Sequence, residues 1–401
     1  MIKSIILNII FYLLIIPASI AKDFYVSPKG KDTNVGSKNY PFLTVERAKL
    51  AVQKEIEKGL TEDMQVYLME GTYILDETVV FGLQDSPSGE FTVTYQSFKN
   101  KEVIISSGHA VGVWSKAVMI DGMPAKSLGN VWVAEMPEGI ETFRTLFDGD
   151  KMLTRARSAD FKMPLKKEIK RADSQNTFYH KDRIHLRMVP YPNDEIKNWD
   201  NLSDVEVVFN PVPWNLNIIQ LESVDLKNKV GYLAFEANAM PFTNKKHSIA
   251  WVENVIDYLD EPGEWCVNTK TRKIYYWPKN GQPSKNIVAP KLMELFKVAG
   301  ETHYDLPSDI PARNINFKGL TFTQGDRSVW YKNRKGWGIQ HDWDTFDYGN
   351  AMLRFRGAEN CEVTECRFTN SGGSAMRLDL HAQNITIKNN YIDYVGHMGV
   401  L

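Results

Sequence analysis

Apolar and polar residues alternate with a period of two over many short stretches of this 401-residue chain, which is the pattern of strands with one buried face. Asp23–Ser27 reads this way, and so do residues 65–69, 78–81, 91–96 and 103–106, with Gly71, Gly82, Gly89 and Gly108 between them. A helical period occurs early, where Val45, Ala48, Val52 and Ile56 share one face. Thr44 is a fitting N-cap for that helix and Gly59 a fitting stop. From about 112 to 285 the alternating runs lengthen and hairpin signals appear. One is Phe143–Leu153 around Asp148-Gly149; another joins 263–267 to 273–277 across Asn268–Arg272. Residues 205–209 and 214–235 add further strand. An antiparallel β module inserted into a repetitive fold explains these hairpins; the alternative is one continuous coil with long side loops.

Self-similarity carries the fold argument. Three segments align: Asn314-Ile-Asn-Phe-Lys-Gly-Leu-Thr-Phe322, Asn360-Cys-Glu-Val-Thr-Glu-Cys-Arg-Phe368 and Asn384-Ile-Thr-Ile-Lys-Asn-Asn-Tyr-Ile392. Asn opens each copy, and positions two, four and nine are apolar or Cys. The second and third copies lie 24 residues apart, one turn of a parallel β-helix, and the first precedes by a turn plus a loop over about 326–350. Stacking then predicts one interior column of Ile315, Cys361 and Ile385, another of Phe317, Val363 and Ile387, and a turn-side ladder of Asn314, Asn360 and Asn384. The expected class is all-β, a parallel β-helix solenoid with an N-terminal capping helix and an inserted antiparallel β module. After Ile392 no comparable cap follows and Leu401 falls partway round a rung, so self-association through this uncapped C-terminal rung is expected.

The first residues add an address. Lys3 precedes an apolar run from Ile5 to Ile16, then Pro17 and the small residues Ala18, Ser19 and Ala21. This is the form of a signal peptide cleaved after Ala21, giving a secreted or periplasmic protein; an uncleaved anchor is the alternative, and the run is short for a membrane span. No stable membrane insertion is expected after cleavage. The division is therefore a signal peptide over 1–21, a cap and first rungs over 22–111, the inserted module over 112–285 and further rungs over 286–401.

Composition narrows the partners. A formal charge of −1 lacks the basic footprint of nucleic-acid binding, so no nucleic-acid partner is expected. Cys266, Cys361 and Cys366 form neither a disulfide framework nor a zinc motif. A core position suits each, although Cys361 and Cys366 are close enough in sequence to bridge. Aromatic residues make up 11% with ten Trp, which serves core packing or sugar-binding surfaces alike. The strongest local constellation is in the long loop, where Trp337, His341, Asp342, Trp343 and Asp344 combine flat apolar faces with hydroxyl acceptors. The alternative is a loop packing its own aromatics against the solenoid. Asp379 and His381, on the turn before the third copy, and His397 after it complete the candidates for substrate contact. Asp342, Asp344 and Asp347 lack the calcium-loop pattern, so no metal and no cofactor are expected.

The chain resembles the right-handed, pectate-lyase-like β-helix proteins of glycoside hydrolase family 141. The matching stretches are Asp23–Val26 with Pro41–Thr44, Phe147-Asp148-Gly149 with Arg155-Ala156-Arg157, Trp251–Asn254, Pro262–Trp265 with Tyr275–Pro278, and Gly319–Phe322. The resemblance implies a glycoside hydrolase, fucosidase- or xylanase-like, acting on a plant or algal polysaccharide or oligosaccharide. It also implies that family members continue for several rungs beyond the equivalent of Leu401 and carry their catalytic carboxylates there, so the catalytic residues remain unknown and this chain is expected to be weakly active or inactive. Glycoside hydrolysis needs two carboxyl groups about 5 to 9.5 Å apart. The repeat-equivalent pairs Glu362/Thr386, Glu365/Asn389 and Thr369/Asp393 supply none. Two other classes stand beside this one. A polysaccharide lyase would need a cationic cluster, which the sequence offers only at Lys332, Arg334 and Lys335. A non-catalytic glycan-binding protein would need only the aromatic and acidic surface.

Overall fold

Short strands with one apolar face bury it only by stacking against one another, and this chain stacks them in three parallel sheets. The computed structural model describes residues 23–164, 184–212, 215–237, 241, 249–303, 308–327 and 347–401. The expected signal peptide over 1–21 and the candidates Trp337, His341, Asp342, Trp343 and Asp344 lie outside them. The described residues are mostly strand, with a single α-helix at Val45–Lys58. None of their helices is long and apolar enough to cross a membrane.

The first sheet joins Phe24–Val26, Met64–Leu68, Val93–Ser97, Ile315–Lys318, Glu362–Thr364 and Thr386–Lys388, all in parallel. The second joins Gly71–Ile74, Val103–Ser106, Thr321–Gly325, Arg367–Ser371 and Tyr391–Ile392. The third joins Val79–Phe81, Phe296–Ala299, Ala351–Glu359 and Ser374–Gln383. From Met64 the chain visits first, second and third sheet in that order four times, then starts again and bridges Val400 to Met376.

Register places like residues over like. Phe317 pairs with Val363 and Val363 with Ile387; Phe322 pairs with Phe368 and Phe368 with Ile392. Ile315 and Cys361 are buried, and Ile385 packs on the same core. Phe322 and Phe368 stack at 4.9 Å between centroids, and Phe81, Phe296 and Phe317 meet edge-on or tilted at 5.2 to 5.5 Å. The three cysteines are buried and free. Asn314, Asn360 and Asn384 take φ values of 59°, 53° and 54°, a left-handed bend that Asn tolerates better than other side chains. Asn384 Nδ2 donates to Asn360 Oδ1 at 3.1 Å, which links two corners of the ladder.

The helix starts at Thr44, whose Oγ1 accepts from the Arg47 N–H at 3.1 Å, and ends at Gly59 with φ 87°. Its Val45, Ala48, Ala51 and Val52 are buried in the same core as Phe24 and Phe42. It therefore shields apolar side chains at the start of the stack.

Between the second-sheet strand Val103–Ser106 and the third-sheet strand Phe296–Ala299 the chain makes a long excursion. Gly108–Ala110 and Ile287–Pro290 pair antiparallel, so it leaves and returns through one doorway. Inside, pairing is antiparallel except between Thr154–Arg155 and Glu264–Trp265. One core gathers Val207, Phe209, Ile219 and Val252; another is built on Trp265 stacked on Phe143 at 5.5 Å.

Candidate functional site

The excursion and the loop over 326–350 each follow a second-sheet strand and return to a third-sheet strand, and Asp347, at the loop's return, lies against the outer face of the third sheet. Register runs Val80, Lys297, Arg354, Arg377 across it. Phe296, Leu353 and Met376, one residue before, are buried in the core, so this row points outward. Three cations spaced about 4.8 Å apart repel one another, and carboxylates interleave with them. Arg354 Nη2 donates to Asp379 Oδ2 at 2.7 Å and to Asp347 Oδ1 at 3.0 Å, and Nη1 reaches Glu294 Oε1 at 3.3 Å. Arg377 Nε donates to Asp379 Oδ2 at 3.0 Å. Arg356 grips Asp347 through Nε and Nη2. The Asp347 N–H also donates to Asp379 Oδ2, at 2.9 Å.

The side chains of Arg354 and Asp379 are 3% and 6% exposed. Ion pairs this buried give back in attraction about what desolvation takes, so they fix geometry more than they add net stability. Burial pushes the Lys297 ammonium below its ordinary pKa; Glu294 opposes the shift, and Arg354 and Arg356 add to it.

Of the candidates read from the sequence, Asp379 is brought into this network. It sits inside the strand Ser374–Gln383, paired with Arg356, one residue before a bulge at Leu380 and His381, and not on a turn as the sequence suggested. His397 lies beside the network's edge, with Nδ1 3.0 Å from Ser374 Oγ and 3.2 Å from Asn350 Nδ2. Since the Asn350 amide nitrogen can only donate, Nδ1 is the acceptor. His381 goes elsewhere: its Nδ1 meets Asp309 Oδ2 at 2.9 Å and its Nε2 meets Glu359 Oε1 at 2.7 Å. Trp337, His341, Asp342, Trp343 and Asp344 lie outside the described residues.

Sequence reading missed the cation row, and in this respect it is corrected. It saw lysine and arginine together only at Lys332, Arg334 and Lys335, whereas register assembles Lys297, Arg354 and Arg377 from three separate strands. The alternation Leu353-Arg354-Phe355-Arg356 was the available signal: in-facing apolar and out-facing cationic residues with period two.

A second buried charge cluster ties the excursion to the stack. Glu206, on strand Glu206–Val212, receives Arg155 and Arg327 in ion pairs and has Arg144 Nε at 3.6 Å. Burial alone would raise the Glu206 carboxyl; Arg327, Arg155 and Arg144 overrule it and hold it well below the usual carboxylate range. Next to Arg327, Asp326 accepts from the Arg144 N–H at 3.0 Å and from Thr145 Oγ1 at 2.8 Å. Burial pushes the Asp326 carboxyl up against these hydrogen bonds and cations. Asp326 and Arg327 leave the second-sheet strand Thr321–Gly325, so this knot fixes where the long loop departs. No group of three or more His, Cys, Asp and Glu suited to a metal occurs among the described residues.

Comparison with known proteins agrees with this arrangement. Residues 129–279 match the model of the GH141 insertion domain, which places the match inside the antiparallel excursion. A solved structure described as a glycoside hydrolase aligns with 94% of this chain and 74% of its own at a TM-score of 0.66 and 18% identity, a likeness of fold. A second, XylC in complex with xylose, aligns with 94% of this chain and 54% of its own at a TM-score of 0.37 and 11% identity, too distant to bear on fold or function. No curated protein matches the sequence. The chain resembles glycoside hydrolase family 141.

Proposed function

We propose that this protein is an exported glycoside hydrolase, cleaved after Ala21, built as a right-handed parallel β-helix and acting on plant or algal polysaccharide with fucosidase- or xylanase-like specificity. The observation that carries the reading is the position of the matched insertion segment, 129–279, inside an excursion that opens beside the third sheet. Asp379 on that sheet and Asp347 at the loop's return meet around one guanidinium. Their oxygens share Arg354 Nη2, at 3.0 and 2.7 Å. A carboxylate clamped by guanidinium groups serves better as a rigid acceptor for sugar hydroxyls than as a proton donor. We therefore give Asp379 and His397 a substrate-contacting role, together with Trp337, His341, Asp342, Trp343 and Asp344 from the loop, and leave the acid and its partner unassigned. The test is incubation of the full chain with xylan and with fucosylated glycans. Weak release of reducing sugar or free fucose above a boiled control is the expected result. Binding on a glycan array with no product from any substrate would move the assignment to a non-catalytic glycan-binding protein.

A second reading is favoured by one observation. Lys297, lowered in pKa by burial and in register with Arg354 and Arg377, has the make-up of a lyase base beside charge-neutralising groups. An unsaturated, ultraviolet-absorbing product from a uronate polymer, abolished in Lys297→Ala, would establish it over hydrolysis.

A further inference from the structure

The outer face of the first sheet carries an arrangement that the third-sheet site does not use. Register aligns Tyr25, Tyr67, Gln96, Lys318, Thr364 and Lys388 in one outward row, one residue from each of six successive strands. At one end Tyr25 and Tyr67 stack at 5.2 Å, and Phe98 sets its edge against both at 5.5 Å. At the other end is a pocket of about 190 Å³ lined by Asn316, Lys318, Glu362, Glu365 and Lys388 among others. Between the two ends, Gln96 donates from its amide to Gln65 Oε1. The Glu362 carboxylate and the Lys388 ammonium have no hydrogen-bond or ion-pair partner among the described residues, while the Glu362 N–H is held by Asn316 Oδ1 at 2.9 Å.

We propose that this row is a second binding surface, for a neutral polysaccharide chain lying across the strands. Strands repeat every 4.8 Å or so, close to the length of one pyranose ring, so successive rings meet successive strands. Ring carbons at Tyr25 and Tyr67 suit the apolar C–H face of a sugar, while Lys38 and Lys99 lie over the Phe98 ring at 5.3 and 5.5 Å. Amide, hydroxyl, ammonium and carboxylate groups then take its hydroxyls in both donor and acceptor roles. Charge decides between neutral and acidic chains. Lys318 and Lys388 are matched by Glu362 and Glu365 in the same pocket, with Lys318 Nζ 3.6 Å from Glu365 Oε1. The pocket therefore has no net charge to hold a uronate polymer, while its paired donors and acceptors suit the hydroxyls of an uncharged chain. The proposal borrows from the reading above only that the ligand is a glycan.

Affinity electrophoresis tests it, with xylan, mannan or mixed-linkage β-glucan cast in native gels and polygalacturonate as the acidic comparison. Wild-type protein is expected to be retarded by at least one neutral polysaccharide and not by polygalacturonate. Glu362→Ala/Lys388→Ala, two surface changes, should weaken that retardation about tenfold with the melting temperature unchanged. Tyr25→Ala/Tyr67→Ala should do the same from the other end of the row. No retardation by any neutral polysaccharide, retardation by polygalacturonate alone, or retardation untouched in the pocket variant would each overturn the proposal. Retardation without sugar release would count against the hydrolase and leave the second surface standing. Sugar release without retardation would do the reverse.

Discussion

Asp347 donates its backbone N–H to Asp379 Oδ2 at 2.9 Å, and the two carboxylates share Nη2 of Arg354. Asp347 closes the long loop over 326–350, and Asp379 lies in the middle of a third-sheet strand. The loop's return is thus pinned to the sheet by charge and by backbone together. Its departure is pinned by Asp326 and Arg327 against Arg144, Thr145 and Glu206. Both described ends of the loop are thus held by buried charge.

Arg354 is the hinge of that network, and its removal leaves Asp347, Asp379 and Glu294 facing one another with less compensation. Arg354→Ala should destabilise the protein by about 3–5 kcal/mol, the usual penalty for breaking a buried ion pair. Arg354→Lys should recover little, because one ammonium cannot serve three carboxylates from the positions of a planar fork. Urea denaturation of the three proteins checks both statements. Equal stability of Arg354→Lys and wild type would show that only the charge matters.

Glu206 gives a pH-dependent prediction. Its ordinary value is 4.5 and its folded value is lower, so the folded state favours the ionised form. The stabilisation is fully present above pH 4.5 and is lost as pH falls from there toward the folded value. Glu206→Gln removes the charge that three arginines surround and should lower stability by about 3–5 kcal/mol at pH 7. The gap between wild type and variant should then shrink steadily below pH 4.5. A gap independent of pH between 7 and 3 would mean that shape and hydrogen bonding hold the junction, without the charge.

The first and second sheets were legible in their last three turns, where the strands are short, alternate cleanly and each first-sheet strand comes just after an Asn. Asn314, Asn360 and Asn384 marked the corners, and Phe317 over Val363 over Ile387 followed by counting. The third sheet was far less legible. Its strands Phe296–Ala299 and Ala351–Glu359 follow excursions of unequal length, so counting finds no period, and the latter opens on the unbroken apolar run Ala351-Met352-Leu353. The cation row and the place of Asp379 went unseen for that reason. The Glu206 knot was illegible for another: its members come from segments near 144, 155, 206 and 327, and nothing local in a sequence says that a glutamate will be buried among three arginines.

The core columns make a quantitative test of the stack. Phe317 is fully buried and touches Tyr95, Phe81, Phe296 and Phe355. Phe317→Ala should lower unfolding free energy by about 3–5 kcal/mol. Thr386→Ala, on the outward face of the same sheet, should stay within about 0.5 kcal/mol. Denaturant titration compares them. Similar values for the two would mean that this face of the first sheet does not define the core.

The last prediction concerns the loop whose two ends are fixed. Asp342 and Trp343 are proposed to meet the sugar, the ring by its flat apolar face and the carboxylate by accepting hydroxyl hydrogen bonds. If so, their energy appears only when ligand is present. Asp342→Ala and Trp343→Ala should each weaken binding of the best oligosaccharide by about 1–2 kcal/mol, tenfold or somewhat more. Stability should change by less than about 0.5 kcal/mol, because the anchors at Asp326, Arg327 and Asp347 remain. Calorimetric titration and thermal melts on the same preparations separate the two quantities. A large fall in melting temperature with binding intact would assign these residues to packing. The substrate-contacting role would then rest on Asp379 and His397 alone, and Asp379→Asn would become the variant that decides it.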